Sequence, residues 1–300
     1  MRTKVLCTST GCLDYAPKRY LEEHDIGIIR VRVIFNGKEM LEGLDLDPVE
    51  FYQQLETLED TKNNLPKTAM PSRVEIQEHF DKAIADGYDE IIVVSISSGL
   101  GGTPNLIRLT AEDYKDKIKI TVIDTKITCF NEGYIAIMVS EMVKKGIPTE
   151  TIIKEVEWVK RRQQLIGVDG KLDYLIYNGR LKGGKAFLGK MLSICPVVAF
   201  NRNGEIEPLC SVRTQKKALA KSCEIIKEKI GDRSPEDYLL LHVYTGRSLV
   251  DKLVEIEKEF GIECNHESVI MSPVSGCHNG PWLAGYIYIP KRRADESIDD

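Results

Sequence analysis

Apolar positions recur along this chain in two alternating rhythms. Short β-rich runs fall at residues 4–8, 28–35, 90–96 and 119–123. Between the second and third, residues 74–86 (VEIQEHFDKAIAD) set Ile76, Phe80, Ala83 and Ile84 on one face at three- and four-residue spacing, which predicts an amphipathic helix. Gly87 stands where its C-cap belongs. Further helices are predicted over 104–115, 133–145 and 149–161, the last two separated by the breaker Gly146-Ile147-Pro148. Strands alternating with helices predict β-α-β units, and so an α/β fold with a doubly wound, mainly parallel sheet.

The second half changes character. The apolar run at 165–168 leads into a loop-rich basic section, NGRLKGGKAFLGK. Strands are then predicted at 196–200 and 207–212, joined by the hairpin turn Asn201-Arg202-Asn203-Gly204. A helix over 215–229 breaks at Gly231-Asp232-Arg233-Ser234-Pro235; a strand at 238–243, a helix at 249–260 and a strand at 264–271 follow. Residues 291–300 are charged and read as a frayed tail. A boundary near residue 162 divides the chain into two α/β domains, 1–162 and 163–300, with a cleft between them as the place for a ligand.

Composition narrows the function classes. Three hundred residues, 42% hydrophobic and 29% charged, suffice for a sizeable core in one large or two moderate domains. Forty-one Lys+Arg against 46 Asp+Glu give a formal charge of −5, which argues against nucleic acid as a partner. No apolar run approaches the roughly 18–20 residues that span a bilayer. The start, MRTKVLCTSTG, lacks the apolar stretch of a secretory signal. The expectation is a cytoplasmic protein with at most transient membrane contact. Eight cysteines without a C-x-x-C pair predict reduced, buried thiols rather than a disulfide framework or a metal site.

Four segments carry candidate chemistry. Ser95-Ile96-Ser97-Ser98-Gly99-Leu100-Gly101-Gly102-Thr103 follows the apolar run IIVV and precedes a helix, so it lies at the carboxyl edge of a parallel strand, where open α/β sheets bind ligands. Its glycines allow close backbone approach, and the helix N-terminus offers free N–H groups to an anion; the plainer reading is a tight strand-to-helix turn. In Lys67-Thr68-Ala69-Met70-Pro71-Ser72, Thr68 reads as a turn residue and Ser72 as a helix cap. Gly276-Cys277-His278-Asn279-Gly280-Pro281 frames an imidazole in a rigid loop. Asn178-Gly179-Arg180-Leu181-Lys182-Gly183-Gly184-Lys185, with Arg213 further on, is either a solvated turn or a local positive face that guides an anionic partner.

There is no G-x-S-x-G elbow, no H-E-x-x-H and no close acidic pair in a Gly-rich setting. Thr68, Ser97, Ser98 and His278 are neutral or weakly basic donors that suit holding a carboxylate, not a nucleophile with its base and orienting acid. A non-catalytic binder leads; an enzyme acting on a small carboxylated or phosphorylated metabolite at the Gly-rich edge, or a regulatory interaction protein, remains open.

The ordered set of motifs resembles the DegV family, whose members bind fatty acids, several of them as carrier subunits of bacterial fatty acid kinase. The resemblance is carried by the early strand with Ser9, GKEMLEGLDLDPVEFYQQL, the K-T-x-x-P-S stretch at Lys67 to Ser72, GYDEIIVVSISSGLGGT, Val122-Ile123-Asp124-Thr125, Gly179-Arg180, PVVAFNRNGEI, the V-R-T-x-K-K-A run from Val212 to Ala218, and H-N-G-P from His278 to Pro281. It implies two α/β domains with an acyl tunnel at or near their interface, no catalytic residue, and no cofactor beyond the bound fatty acid. The carboxylate would be held by Thr68, by the loop containing Ser97, Ser98, Gly101 and Gly102, and by His278 with Asn279 and Gly280. Arg180, with Lys182 and Arg213, would serve kinase docking or head-group support. Acyl chains of roughly C14 to C18 fit such a carrier, since burying about fifteen methylenes at about 0.8 kcal/mol each gives ~12 kcal/mol gross. The chain departs from the family pattern at Gly101, where a serine is usual, at Ala69-Met70 for Ser-Gln, at Thr8-Ser9 for Asp-Ser, at Cys195 for Lys and at Trp282 for Gly.

Overall fold

The structure, a computed structural model, describes residues 2–59, 61–184 and 194–299. Lys185, the last cation of the basic segment, lies outside them. The strands are β1 (Thr3–Thr8), β2 (Ile26–Ile29), β3 (Arg32–Phe35), β4 (Lys38–Leu41), β5 (Lys67–Ala69), β6 (Glu90–Ser95), β7 (Lys119–Asp124), β8 (Gln164–Asp169), β9 (Cys195–Phe200), β10 (Ile206–Val212), β11 (Tyr238–Tyr244), β12 (Val269–Ile270) and β13 (Leu283–Pro290). The helices are α1 (Arg19–Glu22), α2 (Pro48–Glu56), α3 (Thr61–Asn64), α4 (Arg73–Ala85), α5 (Thr103–Ala111), α6 (Phe130–Lys144), α7 (Thr149–Arg162), α8 (Asp173–Tyr177), α9 (Gln215–Ile230), α10 (Arg247–Phe260) and α11 (Pro273–Asn279).

Three sheets result. The first is parallel, in the order β2-β1-β6-β7, with β6 buried at every position as a central parallel strand must be. A small antiparallel sheet, β4-β3-β5, sits beside it. The third sheet, β10-β9-β8-β13-β11-β12, is antiparallel except for the β11–β12 pair. This mixed α/β architecture has the parallel sheet expected for the first half.

The parallel and six-stranded sheets share one apolar core. Val5, Ile92 and Val94 of the parallel sheet join Phe130, Ile135 and Val139 of α6, Trp158 of α7, and Leu241 and Ile287 of the six-stranded sheet in a single cluster. Helix α6 is buried on most of its circumference, which is why its sequence, FNEGYIAIMVSEMVK, is apolar nearly all round. Gly133 makes this possible: a Cβ there would lie 2.1 Å from the Gly11 carbonyl oxygen.

Four local expectations are corrected. Residues 28–35 do not form one strand. The chain leaves the parallel sheet after Ile29 and enters the antiparallel one at Arg32, and the step is held by the Val31 N–H donating to Ser9 Oγ at 3.0 Å and by Arg30 on Asp14 at 2.9 Å. The strand expected at 264–271 shrinks to Val269–Ile270. The His278 segment is not a loop but the last turn of α11, and Thr68 lies in β5 rather than in a turn. The helix start at Ser72 is as expected, with a reciprocal capping box: the Glu75 N–H donates to Ser72 Oγ, and the Ser72 N–H to Glu75 Oε2 at 2.7 Å. Strand β13, which the sequence reading leaves unassigned, is the interior strand joining β8 to β11. No helix among the described residues is long and apolar enough to cross a membrane.

Candidate functional site

All four strands of the parallel sheet end at one edge, and the order changes direction at β1, which runs to β2 on one side and to β6 on the other. Such a switch point opens a crevice outside the strand ends. Residues just past three of these ends, Thr10, Ile96 and Thr128, line a cavity of about 310 Å³, at the small end of the ~300–1,000 Å³ usual for ligand sites. β5 and the residue after it close one side with Thr68 and Met70, α11 another with Val274, Ser275, His278 and Asn279, and Arg180 and Ile206 come from the second half. Apolar walls (Val31, Ile96, Leu100, Ile206, Val274) thus share the cavity with polar groups.

Helix α11 delivers the histidine. Ser272 caps its start, with Oγ accepting from the Ser275 N–H at 3.3 Å, and Pro273 occupies its first position. Gly276 lets the helix press against α2, since a Cβ there would lie 2.4 Å from the Tyr52 hydroxyl; Gly280 ends it at φ +70°. The last turn then sets His278 Nε2 3.2 Å from Thr68 Oγ1. Burial, with the Arg180 guanidinium second, pushes the imidazole down to about 3, so it is neutral near pH 7. Its Nδ1 is buried and has no hydrogen-bond partner among the described residues.

Arg180 is half-buried and donates to the Asn178 carbonyl at 2.8 Å. Among the described residues it has no carboxylate partner. A half-buried cation without an internal anion is poised for an external one. Gly101 and Gly102 lie where α5 begins, with Gly102 as its N-cap, and the first N–H groups of a helix have no intrahelical acceptor. The arrangement offers an anion a cation, two neutral side-chain donors and backbone N–H groups, beside an apolar space.

Other sequence candidates fall elsewhere. The Ser97 hydroxyl is committed internally: it donates to the Gly204 carbonyl at 2.8 Å and accepts from the Gly99 N–H, tying the Gly-rich loop to the β9–β10 turn. Ser98 Oγ accepts from Lys126 Nζ at 2.8 Å. Neither lines the cavity. Asn279 does, with its amide donating to the Ser275 carbonyl at 2.8 Å; Gly280 shapes the helix end without lining it. Lys182 is paired on the surface with Glu205 at 2.7 Å, and Arg213 is exposed beyond β10. Sequence reasoning missed Thr10, Thr128 and Ser275. The signal for the first two was available: the edge rule that singled out the loop after β6 applies equally to the loops after β1 and β7. Thr10 is backed by Glu132, whose Oε2 accepts from Thr10 Oγ1 at 2.9 Å and whose carboxyl is raised by burial.

Comparison with known proteins agrees with this architecture. The family model described as "Uncharacterised protein, DegV family" matches residues 2–291. A DegV domain-containing protein of Clostridium acetobutylicum is 27% identical over 288 residues, covering 96% of this chain and 98% of its own. The crystal structure of a fatty acid binding DegV family protein from Streptococcus agalactiae superposes with a TM-score of 0.86 at 26% identity, over 98% of this chain and 100% of that one. The Bacillus subtilis structure described as DegV, a fatty acid binding protein, gives a TM-score of 0.79 at 27% identity, over 97% and 100%. With a family model spanning nearly the whole sequence and solved members sharing its fold from end to end, this chain belongs to the DegV family.

Proposed function

We propose that this protein is a non-catalytic carrier that holds a long-chain fatty acid in the cavity and presents its carboxylate to a separate kinase subunit for phosphorylation. The observation that carries the reading is the meeting of the Thr68–His278 pair with Arg180 in a cavity that also has apolar walls. A carboxylate buried there exchanges water for charge-assisted hydrogen bonds, and the acyl chain supplies the bulk of the affinity. Fatty acid binding by the Streptococcus and Bacillus relatives supports the ligand class. A hydrolytic or acid–base role would call for an acidic group orienting the imidazole; among the described residues the ring's partner is the Thr68 hydroxyl. The proposal places the head group next to Arg180, with Lys182 and Arg213 left outside as the surface a kinase would meet.

The test is solvent extraction of purified protein followed by mass spectrometry, then calorimetric titration of the delipidated protein with palmitate and oleate. One acyl acid per chain and saturable binding are expected; absence of both overturns the reading. Acyl phosphate formation on adding a fatty acid kinase and ATP tests the presentation step.

A further inference from the structure

On the face of the six-stranded sheet covered by α9 and α10, a group of polar side chains interrupts an apolar cluster. His242 on β11 and Tyr286 on β13 are direct cross-strand partners, and Leu240, Tyr244, Cys223 and Leu253 pack around them. His242 Nε2 lies 2.8 Å from Glu257 Oε2 on α10 and 3.4 Å from Cys264 Sγ in the segment after that helix. The three ligand atoms all fall within 4.8 Å of one another. His242 and Glu257 are each 6% exposed, and Cys264 is half-buried. None of these residues lines the cavity, and the carrier reading uses none of them.

We propose that His242, Glu257 and Cys264 form a binding site for one zinc ion. The donor set is imidazole, carboxylate and thiolate, the mixed N/O/S chemistry that favours zinc over magnesium or calcium. Its charge balances: a carboxylate and a thiolate neutralise a divalent cation, and the imidazole binds as the neutral ring. Without a cation the same burial is unfavourable for two adjacent anions, and the Cys264 thiol is held protonated by burial first and by Glu257 second. Bonds of about 2.0 Å to N and O and about 2.3 Å to S, at tetrahedral angles, need N···O near ~3.3 Å and N···S and O···S near ~3.5 Å. The His242–Cys264 pair already stands at that separation, the His242–Glu257 pair has to open by about half an ångström, and the Glu257–Cys264 pair, within 4.8 Å, adjusts by side-chain rotation.

The surrounding contacts are those that orient ligands. Tyr286 donates its hydroxyl to Glu257 Oε2 at 2.8 Å, and Ser268 Oγ lies 3.5 Å from His242 Nδ1, the ring nitrogen facing away from the site. A proton on Nδ1 directed at Ser268 leaves the Nε2 lone pair free for the ion. A water would complete the set as fourth ligand. Bound zinc would fasten the segment between α10 and β12, which contributes only two residues to the sheet, onto the sheet interior. The spacing His242, Glu257, Cys264 matches no zinc signature in the sequence, because register and helix packing bring the three together.

Cobalt(II) is the probe. Chelator-treated protein titrated with one equivalent of Co²⁺ is expected to develop a thiolate-to-cobalt charge-transfer band with the intense visible bands of a tetrahedral site, both displaced by Zn²⁺. Cys264→Ser abolishes the charge-transfer band and weakens zinc by at least about 100-fold, beyond the ~10–100-fold cost of losing an outer-shell partner. Circular dichroism of that variant checks that the half-buried substitution leaves the fold intact, and Glu257→Gln, which keeps an acceptor for Tyr286, provides a second test with the same expected loss of zinc affinity. A wild-type protein with no charge-transfer band, or a band that survives in Cys264→Ser, overturns the proposal.

Discussion

Thr68→Val isolates the head-group contact. Valine keeps the shape of the threonine side chain and its place in β5, so the substitution removes one hydroxyl and little else. In the carrier reading that hydroxyl bridges the carboxylate and His278 Nε2, 3.2 Å away. A hydrogen bond to a charged group contributes about 1.5–3 kcal/mol, so the dissociation constants for palmitate and oleate should rise about 10- to 150-fold. Binding persists, because the apolar contribution of the acyl chain is untouched. The same factor should hold for both acids, which share the carboxylate and differ in the chain. With His278→Gln as the second arm, a double-mutant cycle should show coupling of about 0.5–3 kcal/mol, the range for groups in direct contact. Calorimetry on delipidated protein at neutral pH reads the constants directly. Thr68→Val binding both acids within threefold of wild type would refute the assignment of the carboxylate to this end of the cavity.

Gly101→Ser introduces a hydroxyl beside the start of α5; a Cβ there meets nothing within 4 Å, so tighter fatty acid binding by several-fold is expected, and calorimetry with palmitate checks it. Arg180→Ala should weaken fatty acid binding by at least about tenfold through loss of a half-buried charge, whereas Lys182→Ala, which breaks only an exposed pair with Glu205, should leave the dissociation constant unchanged. Glu42 is fully buried and pushed by burial from its ordinary 4.5 to about 7. The folded state then binds an extra proton between those values, so this group's contribution to stability falls as pH rises from about 4.5 to about 7 and stays low above it. Glu42→Gln keeps an acceptor for the Val274 N–H and removes the penalty; thermal unfolding should show little gain at pH 4.5 and a gain approaching ~3 kcal/mol at pH 8, from about 1.4 kcal/mol per pKa unit. A gain that shrinks with rising pH would contradict this sign.

Much of this protein is settled by local sequence. Helix α4 carries its own apolar face, its Ser72–Glu75 box and its terminal Gly87; the β9–β10 hairpin carries its turn; and the IIVV run before a Gly-rich stretch marks a strand edge where a ligand belongs. These are interactions within a few residues, so their periodicity is written in neighbouring letters. Tertiary structure decided the rest. Strand β13 is buried on both faces and therefore shows no alternation to mark it, and the β-rich run at 28–35, which alternates through Arg30 and Arg32 without a turn residue, hides the step between two sheets. Ser97 looks the same in sequence whether it faces a ligand or the Gly204 carbonyl, and sheet-to-turn packing chose the carbonyl. Thr68 and His278 stand 210 positions apart, and only the docking of α11 against β5 turns two ordinary residues into a pair. Local propensity is a property of short segments, whereas a binding site is a property of how segments are packed, and packing depends on registers and crossings that no single segment encodes.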